Sequence, residues 1–395
     1  MDSMEKIVFG THEPETLRQF DNCLTTGNVV GGVLCADGHY GYSQPVGGVV
    51  VYDGQISPSG VGFDIACGNK AVKTNLKHAD VKHHLSTIMD DIACKIQFGI
   101  GQTHRQNVDH AVFDDPAWDV FKEIGMHEHD QLKSLARKQL GTTGSGNHYV
   151  DILVDDKTDD VWIGNHFGSR GFGHKTATGF LNLAMNRSFS DPPKRLPMES
   201  KPVLLNMDTD VGEMYFKAMQ LAGKYAYAGR DIVIDDVLDI LGAESTLEVH
   251  NHHNYAWKEN HAGKECIVVR KGATPAAPGQ LGFVGGSMGD ISVILQGIDS
   301  EKSRQAFYST VHGAGRIMSR TKAAGKRRKG KRTGGVIHPD RMHQAIREYG
   351  VELRGGGTDE SPFVYRKLQD VLDAHTGTIE VLHTLRPIGV VMDKG

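Results

Sequence analysis

Residues 28–53 read Asn28-Val-Val-Gly-Gly-Val-Leu-Cys-Ala-Asp-Gly-His-Tyr-Gly-Tyr-Ser-Gln-Pro-Val-Gly-Gly-Val-Val-Val-Tyr-Asp53. Short valine-rich runs alternate with glycines and end in Gly47-Gly48-Val49-Val50-Val51-Tyr52. β-Branched and aromatic residues suit a pleated strand, and glycine serves the turns between strands. The segment therefore predicts strands joined by tight turns. Outward from it, strands are expected at 149–154 and 161–163 around an Asp-rich turn, and at 265–270, 291–297, 379–383 and 388–392. Apolar spacing predicts helices over 78–97, 115–140, 172–187, 211–229 and 339–349. Pro192, Pro193, Pro197 and Pro202 make 187–203 an excursion. The elements alternate without a regular βα rhythm, which predicts a mixed α+β fold rather than a doubly wound sheet. No shift of composition marks a boundary. The expectation is a single domain, 1–395, folded around one site, with a flexible basic loop at about 322–335.

Composition narrows the function classes. The chain has 395 residues, 39% hydrophobic and 23% charged, which is ordinary for a globular protein. No apolar run approaches the ~20 residues of a membrane helix. The first residues, Met1 to Lys6, show no signal-peptide core. Five cysteines (Cys23, Cys35, Cys67, Cys94 and Cys266) are an odd set without CxxC pairing, which argues against a disulfide framework and for a reducing, cytoplasmic setting. A formal net charge of −4 gives no global attraction to nucleic acid, so any such binding needs a local basic patch.

Chemistry concentrates in a few glycine-rich segments. Gly60-Val-Gly-Phe-Asp-Ile-Ala-Cys-Gly68 sets Asp64 and Cys67 three residues apart. A thiolate beside a carboxylate is a mixed hard-and-soft metal cradle, although a small buried cysteine is the plainer reading of Asp-x-x-Cys alone. Five more segments hold His or Asn between glycines or polar neighbours: Asp37-Gly38-His39, Gly144-Ser-Gly-Asn-His-Tyr149, Asn165-His-Phe-Gly-Ser-Arg-Gly171, His250-Asn-His-His-Asn-Tyr255 and His312-Gly-Ala-Gly-Arg316. Histidine is abundant, at 21 residues, and is the commonest metal ligand. Taken together the segments suggest a metal centre with ligands from distant parts of the chain, as catalytic sites have. Two ions sharing Cys67 would suit phosphoryl chemistry. In the His312 segment, glycine amides and Arg316 make a phosphate cradle, where an imidazole can act as nucleophile. GxxxxGK[ST] and GxSxG are absent, which sets aside P-loop nucleotide hydrolases and the nucleophile elbow. Lys326-Arg-Arg-Lys-Gly-Lys-Arg332 is a solvated loop, a localisation signal or a phosphate-backbone contact.

These motifs resemble the RtcB-type RNA ligases. Arg270-Lys-Gly-Ala-Thr274, Gly286-Ser-Met-Gly289, Leu385-Arg-Pro-Ile-Gly389 and Lys394-Gly395 extend the likeness from about residue 28 to the C-terminus. The resemblance implies an α+β domain with helices around stacked sheets and one central metal and nucleotide site. It implies joining of RNA 3′-phosphate or 2′,3′-cyclic phosphate ends to 5′-hydroxyl ends, in tRNA splicing or RNA repair, with GTP and two Mn²⁺ ions. Cys67 would bridge the ions, Asp64 and His148 would complete one site, and His166 and His253 the other. His312 would carry GMP. Asn147, Asp151, Ser287, Ser292, Gly313, Gly315, Tyr365 and Lys394 would form the nucleotide pocket, with Tyr365 stacking on guanine. The stretch 325–335 is unusual for the family, and Lys326, Arg327, Arg328, Lys329, Lys331 and Arg332 are candidate RNA contacts on their charge alone. An archease-like activator and a monomeric chain complete the expected setting. The alternative is a metal-dependent phosphohydrolase or cyclic phosphodiesterase without nucleotidyl transfer. Several positions depart from the family pattern: Tyr149 for Phe, Asp151 for Glu, Phe167 for Ser or Thr, Gly229 for Asn, and Gly285 for Pro.

Overall fold

Val29–His39 and Val46–Tyr52 pair antiparallel at the centre of a five-stranded sheet, in the order Glu5–Val8, Val29–His39, Val46–Tyr52, Lys264–Lys271, Asn254–His261. The computed structural model describes residues 5–194, 196–328 and 331–394. Successive side chains of a strand point to opposite faces, and here both faces are dry. Val33, Cys35, Val49, Val51 and Val268 meet Val284, Val293 and Leu295 of a second sheet. Leu34, Val50, Tyr52, Ile267 and Val269 turn the other way and share a core with Phe180, Tyr215, Leu221 and Tyr225 from the helices. Burial on two sides explains why the segment reads as unbroken valine rather than apolar alternating with polar.

The second sheet runs Leu281–Val284, Ser292–Gly297, Ile379–Met392, Tyr149–Asp155, Asp160–Phe167, Gly68–Lys77, Ser245–His252, and Glu352–Arg354 adds parallel to Ile379–Met392. One face carries Val72, Val150, Ile152 and Ile163 beneath Val233, Ile234 and Val237 of helix Asp210–Leu241. The opposite face carries Leu153, Trp162, Phe283 and Ile294. The fold is therefore α+β, with two stacked mixed sheets and helices packed around them.

Several elements differ from the sequence expectation. The helix expected over 211–229 continues to Leu241. A mid-helix glycine costs only about 1 kcal/mol, which burial of Val233, Ile234 and Val237 outweighs. The helix expected over 115–140 is broken at Gly125, whose extended backbone separates Asp119–Ile124 from Met126–Gln139. Ile379–Met392 is one strand, not two, because the register shift at Pro387/Gly389 absorbs the proline without ending the pairing. Helix Pro14–Leu24 is not anticipated by the sequence reading. Where a basic loop is expected, Gly325–Arg328 pairs antiparallel with Lys331–Gly334. A charge run lacks the apolar alternation that marks a strand, yet lysines and arginines are tolerated on an exposed ribbon edge.

Strand register assembles the site. Asn69 lies opposite His166, and His166 lies opposite Tyr149, the neighbour of His148. Gly68, next to Cys67, lies opposite His252, next to His253. Four strands thus bring residues 67, 148, 166 and 253 to one end of the large sheet.

Candidate active site

Two groups of ligand atoms share Cys67: Asp64, Cys67 and His148 form one, and Cys67, His166 and His253 the other. His166 Nε2 lies 3.2 Å from Cys67 Sγ and 3.3 Å from His253 Nε2. His148 Nε2 lies 3.7 Å from Cys67 Sγ and 3.1 Å from Asp64 Oδ2. His148 and His166 each donate Nδ1–H to a main-chain carbonyl, Thr143 O at 2.8 Å and Asn147 O at 2.9 Å. In the neutral ring that puts the lone pair on Nε2, facing the other ligand atoms. Lone pairs gathered so closely call for shared positive charge, so the donor set fits metal ions. Its chemistry, sulfur with imidazole, suits a borderline-soft divalent ion better than Mg²⁺.

Burial sets the charge states. It holds the His166 and His253 imidazoles far below their ordinary range, as neutral ligands. Burial pushes the Cys67 thiol up, and the Asp64 carboxylate pushes the same way. A bound divalent cation would reverse that push. For Asp64 burial acts upward, but the hydrogen bond and charge of His148 outweigh it and keep the carboxyl below the usual range.

His312 sits across the cavity, its ring centroid 4.8 Å from that of His253. Asp37, fully buried at the end of Val29–His39, accepts three bonds through one oxygen: His312 Nδ1–H at 2.6 Å, His312 N–H at 3.1 Å and Gly313 N–H at 3.3 Å. Burial acts upward on this carboxyl too, yet the charge and hydrogen bonds of His312 hold it low. The clamp leaves His312 Nε2 to the cavity. Gly315 is required beside it, because its backbone is left-handed (φ +75°) and a Cβ would stand 2.2 Å from Asp37 O. In the sequence Asp37 stands out only as part of Asp37-Gly38-His39. Nothing local signals its role, since it lies 275 residues from His312.

The cavity, of about 310 Å³, is lined by all five candidate ligands, by His312, and by Asn147, Asp151, Ser287, Gly313, Gly315 and Tyr365. Two expected pocket residues are placed differently. Ser292 stands behind the wall, its Oγ accepting from the Gly286 amide at 3.3 Å. Lys394 lines a neighbouring cavity with Arg332, His338 and His343. Asp151 is buried, its Oδ1 has no partner among the described residues, and burial pushes its carboxyl well up. Charged cavity residues without a role foreseen from the sequence are Lys271, Arg320 and Glu360, and Arg316, expected in the phosphate cradle, lines the cavity as well. Burial lowers Lys271 to about 8. Arg316 donates to Tyr365 Oη at 3.1 Å and to Glu360 at 3.2 Å, and the Tyr365 hydroxyl donates to Glu360. Of the basic run, Lys329 and the side chains of Arg327, Arg328 and Lys331 lie outside the described residues. Lys326 pairs across the ribbon with Thr333, and Arg332 reaches Asp359, beside Glu360, at 3.8 Å.

Four of the family departures form two spatial pairs. A Cβ at residue 285 would stand 2.2 Å from the Tyr149 hydroxyl, so the larger Tyr149 and the smaller Gly285 fit only together. A Cβ at residue 229 would stand 3.4 Å from the Phe167 ring, so these two positions are direct neighbours in ordinary contact.

Ligand atoms drawn from between residues 64 and 253, opening on a cavity that also holds a clamped imidazole, define an enzyme's centre rather than a structural metal clasp. The model of the family tRNA-splicing ligase RtcB matches residues 19–393. RNA-splicing ligase RtcB of Escherichia coli strain K12 is 34% identical over 375 residues, covering 89% of this chain and 87% of that protein. The tRNA-splicing ligase RtcB of Thermococcus kodakarensis is 28% identical over 461 residues, covering 98% and 92%. That of Pyrobaculum aerophilum is 31% identical over 435 residues, covering 91% and 87%. This chain belongs to the RtcB family, the tRNA-splicing ligases, and is an enzyme. No helix among the described residues is long and apolar enough to cross a membrane.

Proposed function

We propose that this ligase joins RNA 3′-phosphate or 2′,3′-cyclic phosphate ends to 5′-hydroxyl ends through a GMP adduct on His312, in tRNA splicing or RNA repair in the cytoplasm. The supporting observation is a clamped imidazole facing a shared-thiol ligand cluster within one cavity. Asp64, Cys67 and His148 would hold one Mn²⁺, and Cys67, His166 and His253 a second. Two ions there would offset the negative charge of triphosphate and RNA phosphate.

The chain's own residues then have defined tasks. Asp37 retains the Nδ1 proton and aims Nε2 of His312 at the α-phosphorus of GTP. A nitrogen–phosphorus bond forms, the bond from that phosphorus to the β-bridging oxygen breaks, and pyrophosphate leaves. The RNA 3′-phosphate takes GMP from His312. The 5′-hydroxyl oxygen then attacks the activated 3′-phosphorus, and GMP departs as the phosphodiester forms. A cyclic end is first hydrolysed to the 3′-phosphate. Asn147, Ser287, Gly313 and Gly315 line the nucleotide's place, and Tyr365, pinned by Glu360 and Arg316, is the stacking surface. Ser292 supports the Gly286 turn, Lys394 and Arg332 serve the nucleotide and RNA from the neighbouring cavity, and the basic run 326–332 contacts RNA. An archease-like protein is the proposed activator of a monomeric enzyme.

The decisive assay supplies RNA with a 3′-phosphate and RNA with a 5′-hydroxyl, together with Mn²⁺ and GTP. A joined product that requires GTP is expected. Loss of the terminal phosphate without joining, independent of GTP, would make the protein a phosphohydrolase instead. Asp151 supplies a second test. Its unpartnered oxygen suits the N1–H and 2-amino donors of guanine, which would draw the raised carboxyl back to its charged form. Asp151→Asn is expected to lower guanylylation kcat/KM by about 100-fold and to narrow the preference for GTP over ATP. Competition between the two labelled nucleotides reads both effects.

A further inference from the structure

Beneath the ligand cluster lies a fully buried guanidinium, that of Arg230 on helix Asp210–Leu241. Its contacts single out the metal-facing segments. Nη1 donates to Ala66 O at 3.1 Å and to Phe167 O at 2.6 Å. Nη2 contacts His252 Nδ1 at 2.9 Å, and Nε donates to His250 Nε2 at 2.8 Å. Ala66 precedes Cys67, Phe167 follows His166, and His252 precedes His253. One side chain therefore touches the sequence neighbour of every member of the Cys67–His166–His253 set. The backbone joins in, because Asn165 Nδ2 donates to Arg230 O at 3.0 Å on the other side of His166.

We propose that Arg230 is the positioning residue of this metal set, a single fork that holds three separately derived ligand segments at bonding distance of one another. The inference rests on the metal reading given above.

Three physical points support it. The four partners are carbonyl oxygens and ring nitrogens, none of them a carboxylate, so no ion pair accounts for burying this cation. Isolated burial of a charge is costly, and a guanidinium is retained where its planar fork organises several acceptors at once. Ala66, moreover, is a non-glycine residue in the left-handed region (φ 59°), held by its amide to Asn254 O at 2.7 Å and by its carbonyl to Arg230. Such a backbone persists only where surrounding bonds enforce it, and here it presents Cys67. Finally, Tyr227, one helical turn before Arg230, stacks on His252 at 3.9 Å between ring centroids. The helix thus grips the segment before His253 at two points.

The test is Co²⁺ titration of the full-length protein, followed by thiolate-to-cobalt charge transfer in the near ultraviolet and by ligand-field bands in the visible. Wild type is expected to bind with a thiolate signature, and a wild type without one removes the metal reading itself. Arg230→Lys keeps the positive charge but cannot span four acceptors. It is expected to weaken Co²⁺ binding by roughly 10–100-fold, the usual range for a residue that orients ligands, and to shift the ligand-field bands. Arg230→Gln should lose more, so that the lysine variant gives partial rescue. His250→Ala removes one anchor at the rim of the cluster without removing a ligand, and should weaken binding several-fold in a protein that remains folded by circular dichroism. Binding within twofold of wild type with unshifted bands in Arg230→Lys, or in His250→Ala should the lysine variant not fold, overturns the proposal.

Discussion

His312→Ala is expected to abolish transfer of label from α-labelled GTP to the protein, and RNA joining with it. Wild type should carry label through an acid-labile bond, as a phosphorus–nitrogen linkage does. The expected loss is total, since removing a nucleophile leaves no alternative acceptor; removal of a serine protease's nucleophile costs about 10⁶-fold. Alanine also strips Asp37 of one of three donors, leaving a buried carboxyl with two amides. That change is expected to destabilise the fold by about 1–3 kcal/mol, which could be mistaken for the cause of inactivity. His312→Asn separates the two effects, because its amide can still donate to Asp37 but offers no nucleophilic nitrogen. Both variants should be inactive, with only the alanine variant noticeably less stable in denaturant unfolding. Labelling retained in either would move the adduct to another residue.

The second large effect concerns Cys67. Cys67→Ala is nearly neutral as packing, because a small buried residue replaces another, and metal-free stability should change by only about 1 kcal/mol. As a ligand shared by both atom groups, however, Cys67 has no substitute. Affinity for Mn²⁺ or Co²⁺ is expected to fall at least ~100-fold, more than loss of an orienting neighbour would give. Thermal unfolding with and without metal separates packing from ligation. Wild type at a metal concentration 100 times its dissociation constant gains about 2.7 kcal/mol, whereas the variant should gain almost nothing. An equal gain in both proteins would mean that Cys67 is merely core.

Local chemistry was legible where it is written in adjacent residues. Valine runs interrupted by glycine marked strands, and short segments rich in glycine or polar residues marked Asp64, Cys67, His148, His166, His253 and His312 as candidate ligands and candidate nucleophile. Residues whose meaning depends on a distant partner were not legible. Asp37 gains its role from an imidazole 275 positions away. Glu360 acts through Arg316 and the Tyr365 hydroxyl. Arg230 reads as one more polar residue on a helix until the strands beside it are paired. The basic run 326–332 announced its charge but not its pairing, since its composition fits a loop as well as a ribbon.

The sequence by itself determined the inventory: most of the strands and helices, which side chains can donate to a metal or a phosphate, and the family to which they belong. Those properties are local, set by propensity, periodicity and the chemistry of single residues. Only the tertiary structure decided the geometry. Register in the large sheet brings four segments to one edge, because pairing fixes position to within one residue and sends side chains to a defined face. Helix Asp210–Leu241 then supplies the guanidinium beneath them. Distances of 3.2–3.7 Å around one sulfur are a property of that packing, and no stretch of the chain read alone contains them.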